Sequence, residues 1–165
     1  MKILTIIKTK STRSITILFT VVIIISLLFS FIVFWDNQRI HKTLISEYKT
    51  DTLNKYKIEA VNYNYNSVFI TGWIIQKGQS VRRYNCSVVL HDIENDSYFT
   101  IPTEMVKRPD VTALFNDGTY YDNSGFFARV LNNYVNKKSK YGLYLLNMNE
   151  GNNTIINTGI IIERK

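Results

Sequence analysis

Six acidic side chains form the two groups in this sequence whose spacing could support hydrolytic chemistry. They are Asp92, Glu94 and Asp96, followed by Asp110, Asp117 and Asp122. Two carboxylates can cleave a glycosidic bond when one donates a proton and the other acts as nucleophile or base. No second acid has an identifiable role here, and acids in surface turns usually form caps and Asx turns. A carbohydrate-active hydrolase or transferase accessory therefore stays the alternative, and a non-catalytic protein is the leading hypothesis.

Nucleophilic and metal chemistry have little support in the sequence. Ser124 precedes Gly125 and Phe126 without a neighbouring base, which favours a structural role at the start of a strand. Cys86 is the single cysteine, so no intramolecular disulfide is possible, and its alternating apolar neighbours indicate a buried strand residue. The two histidines lie far apart, so we predict no metal site and no cofactor.

A loop rich in tyrosine is the best candidate binding surface. The candidate binding residues are Arg108, Asp110, Tyr120, Tyr121, Asp122 and Asn123. Amphipathic rings in loops suit sugar stacking or protein contact, although tyrosines also occupy sandwich edges and cores. Arg108 is expected to bind a nearby carboxylate or backbone carbonyls.

The region after about Tyr56 alternates between apolar and polar residues, with turn residues between the runs. The predicted strands are Lys57–Tyr63, Ser67–Gln76, Tyr84–His91, Ser97–Ile101, Gly125–Val130, Lys140–Met148 and Thr154–Glu163. Seven short strands within 57–165 predict an all-β, immunoglobulin-like sandwich. Both faces of Val68–Ile75 are apolar, which is typical of a strand buried on two sides.

One short helix interrupts the β pattern. Asp110 can act as its N-cap, and Val111, Leu114 and Phe115 have helical apolar spacing. Pro109 restrains the entry to the helix. We expect this helix to plug one end of the sandwich.

The segment Ile15–Trp35 contains no charged residue, proline or glycine, and 16 of its 21 residues are Ile, Leu, Val or Phe. As a helix it reaches about 31 Å, which matches the roughly 30 Å hydrocarbon core of a bilayer. Inserting these side chains is favourable by about 5–10 kcal/mol before the hydroxyl residues are discounted. The sequence therefore predicts one transmembrane helix, with the lipid bilayer as a partner.

Basic residues indicate how this helix is oriented. Four precede it in the tail 1–14, against Arg39 and Lys42 just after it, so the N-terminus is predicted to be cytoplasmic and the C-terminal domain extracytoplasmic. A cleavable signal peptide is the alternative, but the apolar run exceeds a signal's 7–15 residues and lacks an A-x-A-like site. Whether the anchor is ever cleaved stays open.

The hydroxyl residues of the span share one side of the helix. They are Thr16, Thr20, Ser26 and Ser30. At 100° per residue these four positions fall within an arc of about 120°. Small residues at i, i+4 favour close helix packing, so we predict a face for self-association or for a polytopic membrane partner. The oligomeric state stays open.

The range 36–56 carries an apolar stripe that is too short and irregular for a coiled coil. No proline or glycine occurs before Gly72, so we expect a helical or extended stalk between the span and the β domain.

The net charge of +7 does not indicate nucleic-acid binding. The tail 1–14 holds four of the 20 Lys and Arg and none of the 13 Asp and Glu, which leaves 16 − 13 = +3 for the rest of the chain. This excess is spread out, without a basic run interleaved with aromatics. The tail charge is expected to orient the span and attract anionic lipid.

Four short motifs follow one another in the β region. They are Gly72-Trp73, Lys107-Arg108-Pro109-Asp110-Val111-Thr112, Asn123-Ser124-Gly125-Phe126 and Tyr141-Gly142-Leu143-Tyr144. Their order resembles a bacterial extracytoplasmic β-sandwich module that occurs beside or fused to envelope polysaccharide and teichoic-acid enzymes, including glycosyltransferases. The resemblance covers about 57–165, with Ile74 where the module usually has alanine. No transferase domain accompanies the motifs in this sequence, so glycosyltransfer itself is not expected.

Most motif residues are expected to determine the fold first and contact a ligand second. The structural set is Gly72, Trp73, Pro109, Val111, Ser124, Gly125, Phe126, Gly142 and Tyr144. The predicted span and the resemblance together lead us to expect a single-pass membrane protein whose extracytoplasmic domain binds envelope glycan or scaffolds a cell-envelope assembly complex. A purely structural subunit of such a complex is the third hypothesis.

Overall fold

A computed structural model describes residues 2–50, 54–81, 86–136, 139–149 and 152–163. The chain divides into two compact units, Met1–Gln38 and Arg39–Lys165. The first is helical and the second is mostly β. The predicted pairing of one N-terminal apolar helix with a mostly β domain of two sheets is therefore confirmed.

Helix α1 runs from Lys2 to Asp36 and includes the predicted tail as well as the predicted span. Its part Ser14–Asp36 is long and apolar enough to cross a membrane, and none of it is buried within the protein. Side chains such as Phe19, Leu27 and Phe34 are more than 60% exposed. Within the range 14–36, whose side chains the structure describes, the helix lacks the protein packing that normally stabilises an apolar helix.

The larger sheet, sheet A, has six strands in the order β1-β6-β5-β9-β10-β2. Their bounds are β1 His41–Lys42, β2 Lys49–Thr50, β5 Cys86–Asp92, β6 Ser97–Ile101, β9 Lys140–Asn149 and β10 Asn152–Glu163. Every neighbouring pair is antiparallel except β2 and β10, which are parallel.

The smaller sheet, sheet B, has four antiparallel strands in the order β3-β4-β8-β7. Their bounds are β3 Asn54–Tyr63, β4 Ser67–Gln76, β7 Thr103–Val106 and β8 Gly125–Leu131. Pro102 separates β6 from β7, so the chain passes from sheet A to sheet B without a long loop.

The two sheets share one hydrophobic core. Sheet A contributes residues such as Val88 and Leu143, and sheet B contributes residues such as Ile70 and Phe126. Because side chains alternate along a strand, the neighbours of these residues point away from the core. Two smaller clusters lie on those outer faces, one on each sheet.

Residues 39–50 differ from the predicted stalk, because they belong to the β domain. Strand β1 pairs with β6 at one edge of sheet A, and β2 pairs with β10 at the other edge. Between them the 3-10 turn Ile45–Glu47 crosses the outer face, where Ile45 and Tyr48 pack beside Val89 and Leu146. Ile45 and Tyr48 of the apolar stripe therefore cover part of the outer face of sheet A. Residues 51–53 of the predicted stalk lie outside the described residues.

Helix α2, Pro109–Phe115, also differs from its prediction in two details. Arg108 is the N-cap residue and makes no side-chain cap hydrogen bond, Pro109 is in the first turn, and Asp110 is the acidic residue of that turn. The helix lies on the outer face of sheet B, where Val111 and Phe115 cluster with Trp73 and Ile75. It therefore covers that face and does not plug an end of the sandwich. The side chains of Trp73 and Ile75 point to that side of β4, and the helix buries them there.

The predicted strands agree closely with the observed ones where the pattern was strong. Strands β4 and β6 begin and end at the predicted residues. The prediction missed β1, β2 and β7, each of four residues or fewer. The predicted strand start at Tyr84 lies outside the described residues, and β5 is described from Cys86.

Candidate functional site

Arg108 lies at the centre of a charged cluster on the outer side of sheet B. Its Nη1 and Nη2 donate to Glu59 Oε2 and Oε1 at 2.7 and 2.9 Å. Its Nε and Nη2 donate to Asp110 Oδ1 and Oδ2 at 2.8 and 2.6 Å. Both carboxylates are therefore bound in bidentate fashion, the strongest geometry for arginine. We call Glu59, Arg108 and Asp110 the arginine clamp.

The clamp changes the protonation behaviour of its members. Hydrogen bonds to Asp110 and then to Glu59 raise the pKa of Arg108. The hydrogen bonds from Arg108 hold the pKa of Asp110 below its usual value. An ionised carboxylate whose pKa is lowered is a poor proton donor at neutral pH. Asp110 is therefore unsuited to the general-acid role that glycoside hydrolysis requires.

Glu59 reaches Arg108 because β3 contains a bulge. Ile58 is opposite Gly72 and Ala60 is opposite Thr71, which leaves Glu59 as the extra residue. A bulge redirects the side chain of the extra residue and bends the strand. Glu59 was not among the predicted site residues, because 49 positions separate it from Arg108 and no sequence pattern marks the bulge.

Two glycines of the predicted motifs make room for this arrangement. A Cβ on Gly125 would lie 2.4 Å from Arg108 Cγ and 2.6 Å from the carbonyl oxygen of Val106. A Cβ on Gly72 would lie 2.3 Å from the carbonyl oxygen of Lys57 and 2.8 Å from the Phe126 ring. Both positions therefore require glycine for close approach. The Gly72 and Gly125 motifs therefore lie where neighbouring strands of sheet B, or the Arg108 side chain, approach closely.

Tyr121, predicted as part of a binding surface, is fully buried. Its ring packs against Phe115, and its hydroxyl donates to Asp117 Oδ2 at 2.8 Å. The same hydroxyl accepts a hydrogen bond from the Gly78 amide at 2.8 Å. The hydrogen bond from the Tyr121 hydroxyl lowers the pKa of Asp117. Tyr121 is thus a core residue that fixes two loops, because the outer face of sheet B needs a large side chain to cover Trp73.

The other loop residues divide into bonded and exposed positions. Asp122 Oδ1 accepts from the Thr112 hydroxyl, and Asn123 Nδ2 donates to the carbonyl of Val81 at 3.1 Å. Tyr120 is 71% exposed, while its backbone carbonyl accepts from the Val81 amide. Among the candidate binding residues, Tyr120 is therefore the side chain that is available to a ligand as an aromatic surface.

Ser124 and Cys86 have the surroundings of structural residues. Ser124 is fully buried, and its Oγ has no hydrogen-bond partner in the described part of the chain. Burial raises the pKa of the Cys86 thiol, which keeps it protonated. The other predicted motif residues Trp73, Val111 and Phe126 are also buried.

The first acidic group forms an Asx turn between β5 and β6. Asp92 Oδ1 accepts from the amides of Glu94 and Asn95 at 3.1 and 3.2 Å. Asp96 contacts His91 Nε2 at 2.8 Å. Among the described residues, no group of three His, Cys, Asp or Glu side chains could hold a metal ion.

Gly142 and Tyr144 contribute to an aromatic cluster on the outer face of sheet A. The His91 and Tyr98 rings stack at 4.1 Å, and Tyr144 packs edge-on against both. A Cβ on Gly142 would lie 3.2 Å from the Tyr144 ring. Partial burial and the neighbouring Tyr144 raise the pKa of Tyr98. The cluster covers part of the outer face of sheet A.

The hydroxyl residues of α1 satisfy part of their hydrogen bonding within the helix. The Thr20 hydroxyl donates to the Thr16 carbonyl, and the Ser30 hydroxyl donates to the Ser26 carbonyl, each at 2.9 Å. Such bonds lower the cost of a hydroxyl in an apolar environment. The packing face that these residues were predicted to form stays a prediction.

Comparison of this chain with protein-family models, with curated proteins and with solved structures found no match in any of the three. The resemblance drawn from the four motifs therefore stays a prediction. Of the motif residues, Arg108 and Asp110 belong to the arginine clamp and Gly125 packs against it, whereas Gly142 and Tyr144 belong to the aromatic cluster on sheet A.

Proposed function

We propose that this chain is a single-pass membrane protein that presents a non-catalytic, immunoglobulin-like sandwich outside a bacterial cell, where it binds envelope glycan. The observation that carries the proposal is the wholly exposed apolar segment Ser14–Asp36 joined to a separate β unit. An apolar helix without protein packing gains stability in lipid, where its side chains leave water.

The orientation in this proposal depends on the basic tail. Lys2, Lys8, Lys10 and Arg13 precede the span, and no acidic residue accompanies them. Positive charge near a span is retained on the cytoplasmic side. The β unit, which begins at Arg39, would then be extracytoplasmic.

The non-catalytic part of the proposal depends on how the polar residues are used. Arg108 is bound by both Asp110 and Glu59, and Tyr121 is buried. These contacts hold α2 and its loops against sheet B. The polar side chains of the motif thus hold neighbouring elements of the β unit together. Loops that are rigid before binding lose less conformational entropy when a ligand binds, so this arrangement suits a binding role. The motif resemblance to envelope polysaccharide machinery favours glycan as the ligand.

A reporter fusion tests the proposed topology. Alkaline phosphatase fused after Lys165 should be active in intact cells, because the enzyme folds into its active form outside the cytoplasm. Green fluorescent protein fused at the same position should be dark, because it does not become fluorescent when it is exported unfolded through the general secretory pathway. Activity that is confined to the cytoplasm would contradict the proposal.

A charge-reversed variant provides the matched control. Replacing Lys2, Lys8, Lys10 and Arg13 by glutamate leaves the apolar segment intact and removes the cytoplasmic retention signal. This variant should lose most of the phosphatase activity at equal protein level. Equal activity in both proteins would show that the basic tail does not set the orientation.

A scaffold role within a membrane complex is the second candidate function. It is favoured by the single arc that holds Thr16, Thr20, Ser26 and Ser30, because such residues allow helices to approach closely. A scaffold that works through the span alone would retain no glycan, so glycan binding separates the two candidates.

A further inference from the structure

Two neighbouring loops at one end of sheet B consist almost entirely of asparagine and tyrosine. The ranges 62–66 and 132–136 read Asn-Tyr-Asn-Tyr-Asn and Asn-Asn-Tyr-Val-Asn. The exposed members are Asn62, Tyr63, Asn64, Tyr65, Asn66, Asn133 and Asn136. We call these seven residues the Tyr/Asn surface. Neither range contains a charged residue.

The two tyrosines of this surface project into solvent to an unusual degree. Tyr65 is 94% exposed and Tyr63 is 51% exposed. Exposed aromatic faces of this kind are accessible for stacking on a ligand. Tyr134, in the second loop, instead packs against the shared core beside buried Val135. The tyrosines at 63 and 65 are therefore the ones available to a ligand.

The first loop is held in place by the second. Asn132 Nδ2 donates to the carbonyls of Tyr65 and Asn64 at 2.8 and 3.4 Å, and the Asn132 amide donates to the carbonyl of Asn66 at 2.9 Å. The Asn64 amide also donates to the carbonyl of Ser67 at 2.8 Å. A loop fixed by several hydrogen bonds loses little entropy when it binds.

The second loop is fixed from below by the domain core. The Tyr134 amide donates to the carbonyl of Leu131 at 3.0 Å, and the Asn136 amide donates to the Tyr141 hydroxyl at 3.0 Å. Val135 is buried in the shared core. Both loops are thus built on β strands, which position a binding surface better than free loops do.

The chemistry of the surface matches a neutral polyhydroxyl ligand. Aromatic faces offer flat apolar area to the C–H faces of sugar rings, while asparagine amides both donate and accept hydrogen bonds as hydroxyl groups do. A standard protein interface buries about 800 Å² on each partner and involves about 20–30 residues on each side. Five asparagines around two tyrosines form a small polar patch, which favours a sugar chain over a protein.

We propose that the Tyr/Asn surface is the glycan-binding site of this protein and that Tyr63 and Tyr65 stack on neutral sugar rings. The site lies apart from the loop at Tyr120, since Tyr63 ends β3 whereas Tyr120 contacts Ser80 and Val81 beyond the opposite end of β4. The proposal rests on the proposed glycan-binding function and names the residues that carry it.

A binding assay on the full chain in detergent micelles tests the proposal. The probes are immobilised N-acetylglucosamine hexamer, cellohexaose and a neutral galactan. The wild-type chain should bind at least one probe. The double variant Tyr63→Ala/Tyr65→Ala should bind that probe about tenfold more weakly, because two stacking contacts are lost.

Further variants separate stacking from other causes. Leu114→Ala removes another large, highly exposed side chain and is the control that should leave binding unchanged, whereas Tyr120→Ala tests the other candidate loop. Tyr63→Phe/Tyr65→Phe keeps both rings and should retain most of the affinity. All variants should unfold at the wild-type temperature, since the altered side chains are exposed. If the alanine pair does not fold, Tyr65→Ala alone, at 94% exposure, repeats the test.

The possible results have distinct meanings. Wild-type binding that survives in the alanine pair, or in Tyr65→Ala where it replaces the pair, would overturn the site and leave the glycan-binding function standing. Binding that is lost in Tyr120→Ala and kept in the alanine pair would move the site to the other loop and overturn this one. No binding of the wild-type chain to any probe would overturn both the site and the glycan-binding function.

Discussion

The arginine clamp shows how one residue can organise several elements. Arg108 joins Glu59 on β3 to Asp110 at the start of α2, and its aliphatic stem lies over Gly125 on β8. The Arg108 amide also donates to the carbonyl of Asp122. A planar guanidinium with donors on several sides is suited to such a junction, and lysine could not reproduce it. The residue therefore positions α2 over sheet B.

Tyr121 allows a direct test of the structural role assigned to this loop. Tyr121→Phe should lower the free energy of unfolding by about 1–2 kcal/mol, because the Gly78 amide loses its acceptor and Asp117 loses a donor. Chemical denaturation of the full chain in micelles, followed by tryptophan fluorescence, measures the change.

The adjacent tyrosine is the natural control for this substitution. Tyr120→Phe alters an exposed side chain and should change the free energy of unfolding by less than about 0.5 kcal/mol. Equal effects at the two positions would contradict the assignment of Tyr121 to the core.

At the scale of elements, the segment 39–50 closes the outer face of sheet A. It pairs with β6 at one edge and with β10 at the other, and its 3-10 turn lies between them. The Thr43 amide donates to the Tyr98 carbonyl at 2.8 Å, and the hydroxyls of Thr43 and Thr100 are in contact. A segment that crosses a sheet and pairs at both edges also shields those edges from other strands.

The predicted stalk and the observed segment differ in what Ile45 does. Ile45→Ala should destabilise the β unit by about 1–2 kcal/mol, since Ile45 packs beside Val89 and Leu146. A solvated stalk would show no change. Thermal unfolding followed by the circular dichroism of the β unit measures the effect.

Leu44 provides a matched control next to it in the chain. Its side chain is 68% exposed, so Leu44→Ala should leave the unfolding temperature unchanged. A loss of stability at Leu44 as large as that at Ile45 would contradict the packing described for this segment.

In the molecule as a whole, two kinds of contact join the two sheets of the β unit. The β unit has a shared core between two sheets, and it also has a buried polar link. Asn147 Nδ2 on β9 donates to Asn54 Oδ1 on β3 at 2.7 Å, and Asn54 Nδ2 donates to the Thr154 hydroxyl on β10 at 3.0 Å. Buried polar groups that satisfy one another specify how the two sheets align.

Removing this link should destabilise both sheets together. Asn147→Ala removes the buried hydrogen bond to Asn54 Oδ1, so the free energy of unfolding should fall by about 1–3 kcal/mol. Hydrogen exchange should then increase in β3 and β9 alike. Asn153→Ala, at an exposed position of β10, should have little effect. Faster exchange in one sheet alone would show that the sheets unfold independently.

Much of the architecture could be predicted because it depends on local patterns. The apolar run of α1 needs no tertiary partner to be recognised, since its length and lack of charge are local properties. Strands such as Ser67–Gln76 and Ser97–Ile101 are marked by alternation and by turn residues at both ends. Strands β1 and β2 have only two residues each, which is too short for any alternation to show.

The site was predicted less well, because its contacts join residues that are distant in the chain. Arg108 was predicted to bind a nearby carboxylate or backbone carbonyls, but the sequence did not identify its partners. Asp110 was predicted as a helix cap, and Glu59 reaches Arg108 through a bulge 49 positions earlier. The same tyrosine chemistry marks Tyr120, Tyr121 and Tyr65, and burial alone separates the core residue from the exposed ones. Composition cannot supply that distinction.

Local sequence features were sufficient to predict the apolar helix, the β character of the region after about Tyr56 and the need for a small residue at Gly125. These follow from hydrophobicity, periodicity and side-chain chemistry, which act over a few neighbouring residues. The three-dimensional fold was needed to show that 39–50 crosses a sheet, that Tyr121 is buried and that 62–66 lies against 132–136. Those outcomes depend on which distant strands pair, and pairing is a property of the whole fold.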